Sequence, residues 1–415
     1  MQTATVIAVI LLAAAVGLQA IWCRNFVRLF REPRAAPLSN DQLPKVAVLM
    51  TLRGADPFLD RTLRGLAELD YPQYDIRIVI DHKEDPAWDL VHRIIAESDC
   101  KNVKVEELVE RRSTCSLRMS SLIQAVAGLD DSYGVVAIVD ADVVTHPQWL
   151  RDLVNPMADP EVGVTSGIRW YMPDETNAGS LVRYVWNVAA VAQMHAFGIG
   201  WGGSLALRTS LLHDADILEK WSKIMFEDTF TVHEVQRLGS KLKFAPAATM
   251  INRESIDLWS CTRFISRQVL NARMYHPSWT AISAYACVSV AALNGAFVVG
   301  LAALLLGHFT QAVIIAGAFG AYSVGMACQL IWIELTARQV AQQRGEPVHS
   351  LSWKLIGAGI LTHYVYLVSL VMALRVNEIE WRGIKYRLRG PRKVHLLHYS
   401  PYRPQLTAQD ARVSL

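Results

Sequence analysis

Carboxylates gathered at three points of the chain are the residues best suited to chemistry. Asp140-Ala141-Asp142 closes the apolar run in VVAIVDADVVTHP (135–147), Asp81 closes Ile76–Ile80, and Glu227-Asp228 precedes an apparent helix. An apolar run rich in β-branched residues reads as a strand buried on both faces. Acidic side chains at the carboxyl ends of such strands lie where open α/β sheets bind ligands. Their oxygens are hard donors, suited to Mg2+ or Mn2+ and through the ion to phosphate. One such edge can hold a base or ribose, and a neighbouring one a metal-bound diphosphate. The third point, Glu227-Asp228, can take a proton from an acceptor hydroxyl. Between them, Gly200-Trp201-Gly202-Gly203-Ser204 offers backbone that a ligand can approach closely. It is not a G-x-G-x-x-G fingerprint, so a dinucleotide site is not expected.

The elements that must position these groups are legible from pattern. Val46–Thr51, Ile76–Ile80, the segment around Val103 and Val105, and the run before Asp140 read as strands. Asp56-Pro57 caps a helix with Leu59, Leu63 and Leu66 on its apolar face, 117–126 is a second helix, and His146-Pro147 opens a third. Val162–Thr165, Leu205–Leu207 and Leu242–Ala245 add short strands. Strands alternating with helices mean an α/β domain with a mostly parallel sheet.

That domain occupies the middle of a 415-residue chain whose uncharged stretches lie at its ends. Charged residues make up 19% of the whole, below the roughly 25% of soluble domains. Ala4–Trp22 carries no charge and is succeeded by Arg24, Arg28, Arg31 and Arg34. It is long enough to span a bilayer, and the arginines put the domain after it in the cytoplasm. A cleaved signal peptide would carry its basic residues on the other side. Ala281–Leu306 and Ala312–Ile333 are two further candidate spans and Leu355–Leu374 a third, less apolar one. Before them, 255–275 mixes apolar residues with Arg263, Arg267 and Arg273 and reads as a helix lying in the membrane interface; 181–200 has a similar character. The expected organisation is an anchor (1–35), a cytosolic domain (36–254), an interfacial amphipathic helix (255–278), a transmembrane region (279–376) and a basic tail (377–415). Counting spans puts that tail outside, whereas its arginines and lysines place it inside, so its side stays open. Six scattered cysteines without a C-x-x-C suggest neither a disulfide framework nor a zinc site. The net charge of +3 argues neither for nor against a nucleic-acid partner, and none is expected.

The ordered set LRGADPFL (52–59), LDYPQYDIRIVIDHKEDPAWD (69–89), VDADV (139–143), WGGSLALR (201–208) and FEDTFTVHEV (226–235) resembles the family-2 glycosyltransferases with a GT-A fold. With IEWRGIKYRL (379–388), it resembles the ceramide glucosyltransferases more closely. The resemblance implies a membrane-bound hexosyltransferase that uses a UDP-sugar, a divalent cation and a lipid acceptor. It implies that Asp81, with Asp85 contributing, contacts the uracil or ribose. Asp140 would assist nucleotide binding, Gly202 and Gly203 would line the nucleotide-sugar site, and Asp142 would hold the metal. Asp228 would be the base with Glu227 beside it, and Arg118 would stand near the diphosphate. The sequence departs from the family's (Q/R)-x-x-R-W motif, reading Arg267-Gln268-Val269-Leu270-Asn271. Arg267, Gln268 and Arg273 are then the expected contacts to the acceptor or diphosphate.

Two other functions fit less well. A processive polysaccharide synthase of the same superfamily is expected to keep that motif and to carry more spans. A transporter or scaffold with a nucleotide-binding domain is expected to carry charges inside its spans, and these carry almost none.

Overall fold

Alternate residues of the first strand, β1 (Lys45–Leu52), feed two separate cores. Ala47 and Leu49 pack on one side of the sheet, and Val46, Val48 and Met50 on the other, as in a strand covered on both faces. In the computed structural model, which describes residues 1–32, 36–98, 100–214, 216–348 and 350–402, a long helix α1 (Gln2–Arg31) precedes this strand. Arg34 and the tail beyond Tyr402 lie outside the described residues. From β1 the chain alternates through α2 (Leu59–Ala67), β2 (Tyr74–Ile80), α3 (Pro86–Ser98), β3 (Val103–Glu107), α4 (Leu117–Ala127) and β4 (Tyr133–Val139). It continues through α5 (Trp149–Val154), β5 (Val162–Ser166), β6 (Arg169–Tyr171), α6 (Ala178–Phe197) and β7 (Ser204–Arg208). Next come α7 (Thr209–Asp214), α8 (Ile217–Trp221), α9 (Asp228–Arg237), β8 (Lys241–Phe244) and β9 (Met250–Asn252).

The main sheet has the order β3-β2-β1-β4-β7-β5-β8. β3, β2, β1 and β4 are parallel, β7 runs antiparallel to β4 and β5, and β8 pairs parallel with β5. The mostly parallel α/β domain expected from the pattern is therefore present. Because β2, β1 and β4 are neighbours, the residues leaving their carboxyl ends share one edge. The short parallel pair of β6 and β9 stands apart from this sheet; with three residues in each strand, it leaves no period for the sequence to show.

The carboxyl-terminal half holds α10 (Leu258–Tyr275), α11 (Trp279–Leu305), α12 (Phe309–Gln343) and α13 (Leu355–Arg375). By length and composition α1, α11, α12 and α13 are able to cross a membrane. The expected interfacial helix needs correction. Most of α10 is buried, with Phe264, Ile265, Leu270 and Met274 in the same core as Ala47 and Leu49 of β1. It packs against α13, α6 and α9. Its mixed sequence reflects a core helix that carries polar groups into the site. The basic tail also differs from expectation. β10 (Glu378–Trp381), β11 (Ile384–Leu388) and β12 (Val394–His398) form an antiparallel sheet. Ile384, Tyr386, Leu388 and Val394 face the domain and join its core. Alternation in Ile384-Lys-Tyr-Arg-Leu388 is the period-2 signal that the density of basic residues masks.

Candidate active site

Arg118 ties the site together from the first turn of α4. Ser116 caps that helix by accepting the Met119 N–H at 3.2 Å, and the Tyr386 hydroxyl accepts the Leu117 N–H at 3.1 Å. The guanidinium so held reaches Asp140 Oδ1 at 2.8 Å and donates through Nε to Glu227 Oε1 at 2.8 Å. It also donates to the Gly202 carbonyl at 3.3 Å. One side chain thus joins the end of β4, the start of α9 and the glycine loop before β7. Burial pushes the Glu227 carboxyl up, while Arg118 pulls it back and Asp228 and Asp140 add to the rise. The glycines make room for these acids. A Cβ on Gly202 would sit 2.5 Å from Glu227 Oε1, and one on Gly203 would sit 2.4 Å from the Trp201 ring and 2.6 Å from Asp140 Oδ2. The close backbone approach at this loop is to the protein's own carboxylates.

Asp228 begins α9 and is held by three donors, one of them the Thr229 N–H next to it, which reaches Oδ1 at 2.6 Å. Its Oδ2 accepts the Gly202 N–H at 3.2 Å, and its Oδ1 accepts from Asn271 Nδ2 at 2.7 Å. Sequence reasoning missed Asn271 as a site residue. The available signal was an amide in the middle of a helix, where Asn is otherwise disfavoured.

Asp142 lies among carboxylates. Burial first, and then Asp140, Asp56 and Glu254, push its carboxyl up to about 7. Glu254 is held here by the buried Arg183, whose Nη1 lies 2.7 Å from Glu254 Oε2. Crowded hard oxygens whose mutual repulsion a cation would relieve are a donor set that fits Mg2+ or Mn2+. A second group, Asp81, His82 and Asp85, brings ligand atoms within 4.8 Å of one another. Its atoms are engaged in the protein's own bonds. Asp85 accepts the N–H groups of Gly54 and Ala87, and His82 Nε2 accepts that of Tyr402. Asp81 pairs with Arg53 on one oxygen, and with Arg111 and the Tyr399 hydroxyl on the other. It orients two arginines and a tyrosine, while Asp85 fixes the turn after β1 and the start of α3.

The remaining expected contacts divide three ways. Arg267 faces a hollow of about 130 Å³ that Arg118, Asp140, Asp142 and Arg169 also line. Gln268 faces a larger apolar cavity of about 870 Å³. Arg273 donates instead to the Ala373 carbonyl at the end of α13, so it belongs to helix packing and not to the site. The large cavity runs between α6, α11, α12 and α13, past Val290, Leu293 and Phe319, and ends at Gly200, Trp201 and Asp228. Arg169 lines both hollows. A polar hollow under an acidic edge and an apolar one reaching the long apolar helices thus share Arg169, and Asp228 faces the apolar one.

Residues 5–394 match the model of glycosyl transferase family 21, and the chain belongs to that family. The likeness to family-2 enzymes thus narrows to a more particular family. The fold is similar to that of the mannosyltransferase PcManGT from Pyrobaculum calidifontis, solved with GDP-Man and Mn2+. The identity is 18%, covering 90% of this chain and 99% of that one, with a TM-score of 0.55. Glucosyl-3-phosphoglycerate synthase from Mycobacterium tuberculosis, solved with Mn2+ and UDP-glucose, aligns more loosely. There the identity is 13%, over 57% of this chain and 84% of that one, with a TM-score of 0.39. The chain is a glycosyltransferase of GT-A architecture with four long apolar helices toward its ends.

Proposed function

We propose that the protein transfers a hexose, glucose by resemblance, from a UDP-sugar to a hydroxyl of a membrane lipid such as ceramide or diacylglycerol. The observation that carries this reading is the apolar cavity ending at Asp228. A soluble acceptor needs no such cavity, whereas a lipid can lay its chains between the helices and present its hydroxyl to the carboxylate. Asp228 accepts the hydroxyl proton, and the oxygen attacks the anomeric carbon as the bond to the diphosphate breaks. Attack from the face opposite the leaving group inverts that carbon, through an oxocarbenium-like state. Arg267 and Arg118 line the smaller hollow and offset the charge that develops on the departing diphosphate. A divalent ion, held by Asp142 with Asp140 and Glu254 near it, would supply further stabilisation of that charge. Arg24, Arg28 and Arg31 after the first span favour the cytoplasmic side for the catalytic domain.

Membranes carrying the protein, incubated with radiolabelled UDP-sugars and then extracted, should yield one labelled lipid. Label found only in water-soluble product or polymer would remove the lipid reading. Ala286, buried on α11, lines the cavity. Ala286→Trp should raise the acceptor KM by about tenfold or more and leave the donor KM unchanged. For the ion, the raised Asp142 carboxyl sets the sign. Protonation competes with the cation below about pH 7. Mn2+ affinity, read by titration calorimetry, should therefore fall by about tenfold per unit as the pH drops further. An affinity independent of pH would take Asp142 out of the ligand set.

A further inference from the structure

Arg267 is a half-buried charge with no carboxylate at ion-pair distance among the described residues. Among the described residues it makes no hydrogen bond or ion pair, and its guanidinium rests against the rings of Trp381, at 5.4 Å, and Phe264, at 5.9 Å. Arg169 and Arg382 line the same hollow, across from Asp140, Asp142 and Glu254, so charges of both signs converge on it. A guanidinium that faces a cavity without a hydrogen-bond or ion-pair partner of its own is arranged for an anion that arrives with the ligand.

Trp381 reaches Arg267 from the far end of the chain. It closes β10 opposite Ile384, across a two-residue turn of Arg382 and Gly383. Both turn residues have positive φ, 47° and 76°. Hairpin turns of this sign fit the strand twist, but they favour Asn or Gly over a long side chain in the first position. The strain at Arg382 is offset by a reciprocal latch. Arg53 Nε donates to the Arg382 carbonyl at 2.8 Å, Arg382 Nη1 donates to the Arg53 carbonyl at 2.5 Å, and Nη2 reaches Asp56 at 3.2 Å. The latch pins the turn over the end of β1, and Trp381, Ile384 and Tyr386 roof the polar hollow.

We propose that the carboxyl-terminal sheet is a working part of the donor site. Trp381 is the positioning residue that holds Arg267 toward the donor diphosphate, and the Arg53–Arg382 latch keeps it there. This rests on the reading of the smaller hollow as a nucleoside-diphosphate site.

The test is calorimetric binding of UDP and GDP with Mn2+ to the full-length protein in nanodiscs, together with steady-state kinetics. Trp381→Ala should weaken nucleotide binding and raise the donor KM by about tenfold, with the acceptor KM unchanged, and Trp381→Phe should restore most of the loss. In an Arg267→Met background, Trp381→Ala should add little, because the ring acts through the guanidinium. Arg382→Gly relieves the backbone but removes the side-chain half of the latch and the cation beside the buried Asp56, so it should lower nucleotide affinity, and Arg382→Lys, which keeps a cation for Asp56, should lose less. Full additivity of the Arg267 and Trp381 losses, or wild-type affinity in either Trp381→Ala or Arg382→Gly, would overturn the assignment. Failure of the unmodified protein to bind either nucleotide would instead remove the donor-site reading, and this inference with it.

Discussion

Asp228→Asn should lower kcat by about 10²- to 10⁴-fold, the contribution of a positioned general base. The amide keeps the size of the carboxylate, so the cavity floor and the start of α9 should hold their shape. Nucleotide affinity should stay within about twofold, since Asp228 faces the apolar cavity and does not line the polar hollow. The pairing of lost turnover with retained nucleotide binding separates a base from a residue that merely supports the fold. Turnover close to that of the unmodified enzyme would dismiss Asp228. Asn271→Ala should cost less, because it removes one of the three donors to the carboxylate and leaves the carboxylate in place.

Arg118→Ala should be damaging in two ways that can be measured apart. The side chain neutralises Asp140 and Glu227, and Glu227 is only 4% exposed. Stripping one partner from a buried ion pair leaves an uncompensated charge and costs about 3–5 kcal/mol. Thermal unfolding in detergent should show that loss. The same change removes a cation from beside the leaving diphosphate, which should lower kcat by about 10²- to 10³-fold. The double variant Arg118→Ala with Glu227→Gln removes the more buried of the two stranded charges. It should recover much of the stability while remaining slow. Recovery of both would mean that Arg118 acts only as a structural tie. Arg118→Lys should fall short in both assays, because an ammonium cannot span two carboxylates as the guanidinium fork does.

Much of the catalytic domain was legible because its signals are local. The β-branched runs ending at Asp81 and Asp140 required a buried parallel sheet, and that sheet is present. The four apolar stretches correspond to α1, α11, α12 and α13, with helices extending past the apolar limits at several ends because polar residues continue the turn. Gln2–Arg31, for example, runs on through the arginines beyond the apolar core. Helix α10 misled because its arginines suggested a water-facing stripe. Arg267 is turned into a hollow and Arg273 is spent on a helix-end carbonyl, so neither marks solvent. The carboxyl-terminal sheet was hidden by its basic composition, which reads as tail when strand alternation is not weighed against it.

Strand and helix identities, the spans, and the acidic residues at the sheet edge were set by side-chain type and period, which short windows contain. Partnership was decided only by the tertiary structure. Asp81 is saturated by Arg53, Arg111 and Tyr399; Asp140 and Glu227 share Arg118; Asp228 is aimed by Asn271; and Trp381 lies on Arg267. These pairs join residues far apart along the chain. A buried charge takes whichever partner the fold brings within a few ångströms, and Coulomb energy in a low-dielectric interior depends on that separation rather than on distance along the chain.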